Sequence, residues 1–240
     1  MKIFKTLFVY FVGIIGYFIG SISSILLAPF CRNGANSFVF VSKYWAKAVL
    51  FSAGIKVTVR GREHLDTKDT KIIVANHQGN FDIPIILVST DHPFRFFVKK
   101  ELTMLPFLGW YLSSRGDIPI DRANRQKAYK SIKEVVGLIK SGRSIVIFPE
   151  GTRSYDGKVG PFKKGSFLAA VTAGAKIVPV AISGSYEIQK RGSLLVNPTN
   201  VFVNIGEPFN IEAGDPSDDE YLEKLTQDVR NKVISLMAKN

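Results

Sequence analysis

The 240-residue chain is poor in the residues that staple or metallate a fold, with one cysteine, Cys31, and three histidines, His64, His77 and His92. A single thiol excludes an internal disulfide and a multi-cysteine metal site, and it suits a reducing compartment. So few histidines leave a short list of groups for acid–base work near neutral pH. Acid is also scarce. The first acidic residue is Glu63, and Asp plus Glu number 20 against 32 Lys plus Arg, a formal charge of +12. That sign selects anionic partners: an acidic membrane surface, a phosphorylated substrate, an acidic carrier protein or nucleic acid. Nucleic acid drops out, since no recognised binding motif occurs and the N-terminus is strongly apolar. No Gly-x-Ser-x-Gly elbow is present, so a serine-hydrolase nucleophile is not expected.

What the chain has in excess is apolar bulk, at 46% hydrophobic residues and 18 Phe. From Thr6 to Cys31 no residue is charged. As a helix rising about 1.5 Å per residue, that run could cover the roughly 30 Å core of a bilayer. It is too long for the apolar core of a signal peptide, about 7–15 residues, and it ends on Ala28-Pro29-Phe30. A second apolar stretch follows the Arg32-Asn33-Gly34 turn, from about residue 35 to 55. Its Lys43 and Lys47 flank Tyr44 and Trp45, which suits a helix lying at headgroup level. Residues 1–55 therefore read as a two-helix membrane anchor in contact with membrane phospholipids, and 56–240 as one further domain. Basic residues flank both helices, so the sequence does not decide between a span and one leaflet.

Beyond residue 55 the pattern changes to short β-type runs at 56–60, 71–75, 94–98, 144–148, 176–182 and 201–205, alternating with helical stretches. Ala128, Ile132, Val135 and Ile139 recur at helical spacing within 124–141, and a short apolar helix spans 165–173. Ser217 with Glu220 forms a capping box for a last helix, whose stripe is Leu222, Leu225, Val229, Val233 and Leu236. The fold class is α/β, with a mixed, largely parallel central sheet flanked by helices.

Two strand ends carry the chemistry. The run at 71–75 leads into Asn76-His77-Gln78-Gly79-Asn80-Phe81-Asp82, and functional groups of α/β proteins collect at the carboxyl ends of strands. A continuous helix would put His77 and Asp82 on different faces, at about 100° per residue. A turn through Gly79-Asn80 can fold the carboxylate back onto the ring, to fix its tautomer and support the imidazolium. Asp82 is also a good N-cap type for the helix after it. The strand at 144–148 delivers Phe148-Pro149-Glu150-Gly151-Thr152-Arg153-Ser154, and Gly116-Asp117-Ile118-Pro119-Ile120-Asp121-Arg122 is a short strand ending in an acid and an arginine. Arg122 and Arg153 offer planar forks suited to phosphate, and Gly151 permits close backbone approach. Taken singly, either arginine fits an ordinary ion pair with Asp121 or Glu150 as well. Lys99 and Lys100 follow another strand and add to the positive field.

Together these segments resemble the glycerolipid acyltransferase family. Its Asn-His-x4-Asp motif appears at Asn76-His77 through Asp82, Gly-x-Ile-x-Ile-Asp-Arg at Gly116 through Arg122, and Phe-Pro-Glu-Gly-Thr-Arg-Ser unbroken at Phe148 to Ser154. A Val-Pro dipeptide in an apolar strand is matched by Val178-Pro179. The resemblance implies direct transfer of an acyl group to the sn-2 hydroxyl of lysophosphatidic acid, giving phosphatidic acid in phospholipid biosynthesis. The donor would be acyl-CoA or acyl-acyl carrier protein, with no further cofactor and no metal. His77 would be the base and Asp82 its support. Arg122, Glu150, Gly151 and Arg153 would shape the acceptor site, helped by Lys99 or Lys100, with Val178-Pro179 on the acyl side. The catalytic domain would face the cytoplasm at the inner membrane. Sister enzymes that acylate glycerol 3-phosphate or another lysophospholipid share these motifs.

Overall fold

A computed structural model of the chain describes residues 2–27, 35–120, 125–211 and 214–238. Its elements run α1 Lys2–Leu27, α2 Ala35–Ala53, β1 Lys56–Arg60, β2 Lys71–Ala75, α3 Asp82–Ser89, β3 Phe94–Lys99, α4 Leu108–Arg115 and β4 Ile118–Ile120. They continue α5 Arg125–Lys140, β5 Ser144–Ile147, α6 Leu168–Ala173, β6 Lys176–Ser183, α7 Ser185–Ile188, β7 Asn200–Ile205, β8 Phe209–Asn210 and α8 Asp219–Met237. The strands form one sheet in the order β1-β7-β6-β2-β5-β3-β4, with β8 also on β6. Strands β6, β2, β5, β3 and β4 are mutually parallel, while β7 runs antiparallel to β6 and parallel to β1.

Central strands covered on both faces read as continuous apolar runs, and every residue of β2 is buried. The strand period of two then splits the core. Ile73 and Ala75 join the cluster with α2 and α3, whereas Ile72 and Val74 join the one with α5, α6 and α8. Pro179 sits inside β6, where a missing N–H ought to break a ladder. It is tolerated because β8 pairs with residues 176–177 and β7 with 180–183, and Pro179 falls between them. Val178 and Pro179 are both buried, and neither lines the cavity described below.

The N-terminal helices are unequal. Ala46, Val49, Leu50 and Ala53 of α2, at helical spacing, are part of the core. Lys43 of the same helix is engaged by Asp91, in the loop before β3. Helix α1 packs on α2 through Gly13, Gly16 and Gly20. A Cβ at Gly16 would lie 2.9 Å from the Trp45 ring, so the small residues set the close approach. The rest of α1 turns outward: Phe4, Leu7, Phe8, Phe11, Ile14, Ile15, Phe18 and Ile19 are all exposed. Among the described residues this is the one helix long and apolar enough to cross a membrane. Such a stripe fits lipid.

Other boundaries differ in detail. The cap of α8 is Asp218, which accepts from the Tyr221 amide at 3.0 Å, while Ser217 bonds to Asp215. The buried stripe of α8 is the expected one, with Thr226 added. Helix α4 has no counterpart in the sequence reading. It ends on Gly116, whose φ of 71° gives the left-handed C-cap that glycine adopts without strain.

Candidate active site

β2 stops at Ala75 because the Asn76 side chain takes over its hydrogen bonding. Its amide donates to the Ile182 carbonyl at 2.9 Å and accepts from the Ile182 N–H at 2.8 Å. The main chain is thereby free to turn away from the sheet at its carboxyl end. His77 follows, then a tight turn that brings Asp82 back to the ring.

The Asp82 carboxylate is fully buried and four donors converge on it. His77 Nδ1 lies 2.7 Å from Oδ2, which also accepts from the Gln78 N–H at 2.6 Å and the Gly79 N–H at 2.9 Å. Ser185 Oγ donates to Oδ1 at 2.5 Å. A buried charge needs this degree of compensation. Asp82 is the first residue of α3, not its N-cap, which is Phe81. The His77 ring stacks on Phe148, centroids 4.4 Å apart, and its side chain retains 20% exposure. With Nδ1 committed to the carboxylate, Nε2 is the nitrogen left for a substrate proton.

The backbone of His77 is clamped by the third motif. Its N–H donates to Glu150 Oε1 at 2.8 Å, and its carbonyl accepts from the Ser154 N–H at 2.8 Å. Glu150 Oε2 accepts from the Gly160 N–H at 3.1 Å. Burial pushes the Glu150 carboxyl above its ordinary range, against the pull of these two amides. Glu150, expected to help shape the acceptor site, is 6% exposed and holds the loops that carry His77. Gly151 has φ of 70°, and a Cβ there would lie 2.9 Å from Lys163 Nζ, so its role is the turn.

Arg153 reaches the site: its Nη1 donates to Asn80 Oδ1 at 2.8 Å and it lines the cavity with His77. Lys99, at the end of β3, lines the same cavity and lies 3.4 Å from Glu101. Lys100 is exposed on the following turn and is not part of the cavity wall. Arg122 lies outside the described residues, as do Asp121 and Cys31. Among the described residues, no three His, Cys, Asp or Glu side chains stand close enough to hold a metal ion.

The cavity is about 540 Å³. It runs from His77 and Asn80 beneath the N-terminal helices, past Tyr17, Trp45, Ile83 and Phe96. Arg115 and Asp117, both buried, also line it, with Arg115 Nε 2.8 Å from Asp117 Oδ2 and Nη1 2.8 Å from Ser42 Oγ. Burial opposes the Arg115 charge, but Asp117 and Tyr111 more than offset it and raise its pKa. Sequence reasoning missed Ser185, Phe148 as the ring's support, and this ion pair. Ser185 had one signal, since β2 and β6 are parallel neighbours and their carboxyl ends adjoin.

Comparisons with known proteins agree on one family. A family model described as Acyltransferase matches residues 56–183. The 1-acyl-sn-glycerol-3-phosphate acyltransferase of the Arabidopsis thaliana chloroplast is 34% identical over 190 residues, covering 78% of this chain and 53% of that one. The Escherichia coli enzyme of the same name is 39% identical over 153 residues, covering 63% of this chain and 62% of that one. The chain thus spans little more than half the length of these curated relatives. A crystal structure of the 1-acyl-sn-glycerophosphate acyltransferase of Thermotoga maritima superposes with a TM-score of 0.83 at 29% identity, covering 100% of this chain and 97% of that one.

Proposed function

Since the chain belongs to the acyltransferase family, we propose that it transfers a fatty acyl group to the sn-2 hydroxyl of lysophosphatidic acid, forming phosphatidic acid. The observation that carries this reading is the buried His77–Asp82 pair opening on an apolar cavity with Arg153 and Lys99 on its wall. An apolar cavity fits an acyl chain, and the two cations fit the acceptor's phosphate. The relatives named for this reaction support the choice of acceptor.

His77 Nε2 takes the hydroxyl proton while the alkoxide oxygen attacks the thioester carbonyl. The tetrahedral intermediate collapses with loss of the thiolate, which takes the proton back from His77. Asp82 supports the imidazolium between these events. The ester forms directly, and nothing beyond the acyl thioester, on coenzyme A or an acyl carrier protein, is needed as co-substrate. Arg122 joins the phosphate site in this reading, and α1 seats the domain on the inner membrane with its active site towards the cytoplasm, where soluble thioesters are made.

The test is purified protein with lysophosphatidate vesicles and an acyl thioester. Phosphatidate should form with wild type and fall to background with His77→Ala. Undiminished product from that variant would refute the mechanism.

A further inference from the structure

A chain of side-chain hydrogen bonds leads from the cavity to the membrane helix. Arg153 Nη1 donates to Asn80 Oδ1 at 2.8 Å, and Asn80 Nδ2 donates to Gln189 Oε1 at 3.0 Å. Gln189 Nε2 donates to the Tyr10 hydroxyl at 2.7 Å, and that hydroxyl donates to the Leu194 carbonyl at 2.9 Å. Every link runs donor to acceptor in one direction, so each amide is fixed in orientation by its neighbours. Asn80 is exposed but Gln189 is buried, which makes Gln189 the costly member to leave unpaired. A second bond fixes the same loop to the same helix, because the Val196 N–H donates to Thr6 Oγ1 at 3.1 Å. Thr6 and Tyr10 are four residues apart and share one face of α1. That face grips the 189–196 loop, while the outward stripe of α1 is left for lipid.

We propose that Tyr10 and Gln189 are positioning residues for the acceptor phosphate, holding Arg153 through Asn80 so that the guanidinium is aimed only when α1 is seated. The inference rests on the acyl-transfer reading for the identity of the phosphate. Nη1 is spent on Asn80, and the guanidinium's remaining N–H donors stay available for phosphate oxygens. The phosphate keeps its charge and bonding throughout acyl transfer, so its contacts with Arg153 are alike in the ground state and the transition state. Loss of aim should therefore raise KM for the acceptor and leave kcat nearly unchanged.

The experiment uses the full chain in phosphatidylcholine–phosphatidylglycerol vesicles with varied lysophosphatidate. Tyr10→Phe removes one hydroxyl and keeps the apolar ring. Losing one hydrogen bond predicts a KM rise of roughly three- to tenfold, with kcat changed less than twofold. The same should hold for Gln189→Leu. In an Arg153→Ala background Tyr10→Phe should add less than twofold, because it acts only through Arg153. An unchanged KM, a fall in kcat alone, or an equal penalty in both backgrounds overturns the proposal. Wild type inactive on lysophosphatidate would sink the acyl-transfer reading instead. The relay is then read by phenylglyoxal modification of Arg153, expected several-fold faster in Tyr10→Phe, and equal rates overturn it.

Discussion

Replacing Asp82 by Asn isolates the charge behind His77 from everything else the carboxylate does. Oδ2 accepts from His77 Nδ1, the Gln78 N–H and the Gly79 N–H, while Oδ1 accepts from Ser185. An Asn side chain can meet those demands in only one orientation. Its oxygen must occupy the Oδ2 position, because a flipped amide would set N–H donors against two backbone N–H groups. Its NH2 then faces Ser185 Oγ, a hydroxyl that can accept as readily as donate. The backbone amides thus hold the oxygen where Nδ1–H needs it, and the ring keeps its tautomer. What disappears is one negative charge facing the imidazolium.

Two unit charges about 4 Å apart interact by roughly 4 kcal/mol at an effective dielectric of about 20. The retained neutral hydrogen bond returns up to about half, since charge-assisted bonds are about twice as strong as neutral ones. Some 2–4 kcal/mol of transition-state support should go, a fall in kcat of roughly thirtyfold to a thousandfold at about 1.4 kcal/mol per decade. KM should stay nearly constant, because Asp82 is fully buried and touches no part of the cavity. The assay is the initial rate of thiol release in the presence of lysophosphatidate, with a melting curve for each protein. A kcat within threefold of wild type would refute the charge argument. A loss near ten-thousandfold would mean that the tautomer had inverted, and with it the claim that the backbone amides orient the Asn.

Three further outcomes follow from groups around that pair. Glu150→Gln leaves either the His77 or the Gly160 N–H facing an NH2 group, at about 1–3 kcal/mol. Relief of the buried charge offsets only part, so Tm should drop by roughly 2–10 °C with a clear loss of kcat; unchanged values would count against the clamp. His92 is held below its ordinary pKa by burial first and by the Lys71 ammonium second, although Asp66, Asp69 and the Thr67 carbonyl oppose this. The unfolded chain therefore binds its proton more readily, and stability should be full above about pH 6.5 and decline as pH falls through the folded value. Tm measured against pH should fall less steeply for His92→Gln, and parallel curves would exclude His92 as the source. Phe4→Ser with Phe11→Ser removes two exposed rings of α1, each worth about 1.5–3 kcal/mol when buried in lipid. Vesicle flotation should show at least a hundredfold weaker partitioning, and undiminished binding would place the membrane contact elsewhere.

Local pattern and long-range pairing were legible to very different degrees. Strands with a strong apolar run were readable because burial and period act over a few residues, and the expected strand at 71–75 coincides with β2. The turn that folds Asp82 onto His77 was readable because a helix would have separated them. Helix α4 was not, since eight residues with Ser113 and Ser114 at the end carry too little periodicity. Glu150 was read as shaping the acceptor site from the family motif that holds it. Only the approach of three separate segments shows that both its oxygens are used by backbone amides. Ser185 lies 103 residues from Asp82. Its place depends on β6 pairing with β2, and no local window encodes which strand becomes whose neighbour. The Lys43–Asp91 pair was out of reach by the same limitation, because the partners lie 48 residues apart.

Residue 55 also separates less than the composition suggests. The cavity beside His77 is walled by Gly16 and Tyr17 of α1, and by Val41 and Trp45 of α2, as much as by the sheet. Trp45 Nε1 donates to the Gly13 carbonyl at 3.0 Å, so the two helices are pinned to each other where they cover the site. Ser42 of α2 accepts from Arg115, whose partner Asp117 also accepts from the Phe96 N–H of β3. An ion pair buried among apolar side chains gains little stability over a hydrophobic replacement, because desolvation consumes most of its Coulomb energy. Its geometry is what it supplies. Asp117 and Ser42 fix one guanidinium between α2 and the sheet. The N-terminal helices therefore complete the walls around His77, and a boundary drawn from hydrophobicity runs through the middle of the cavity.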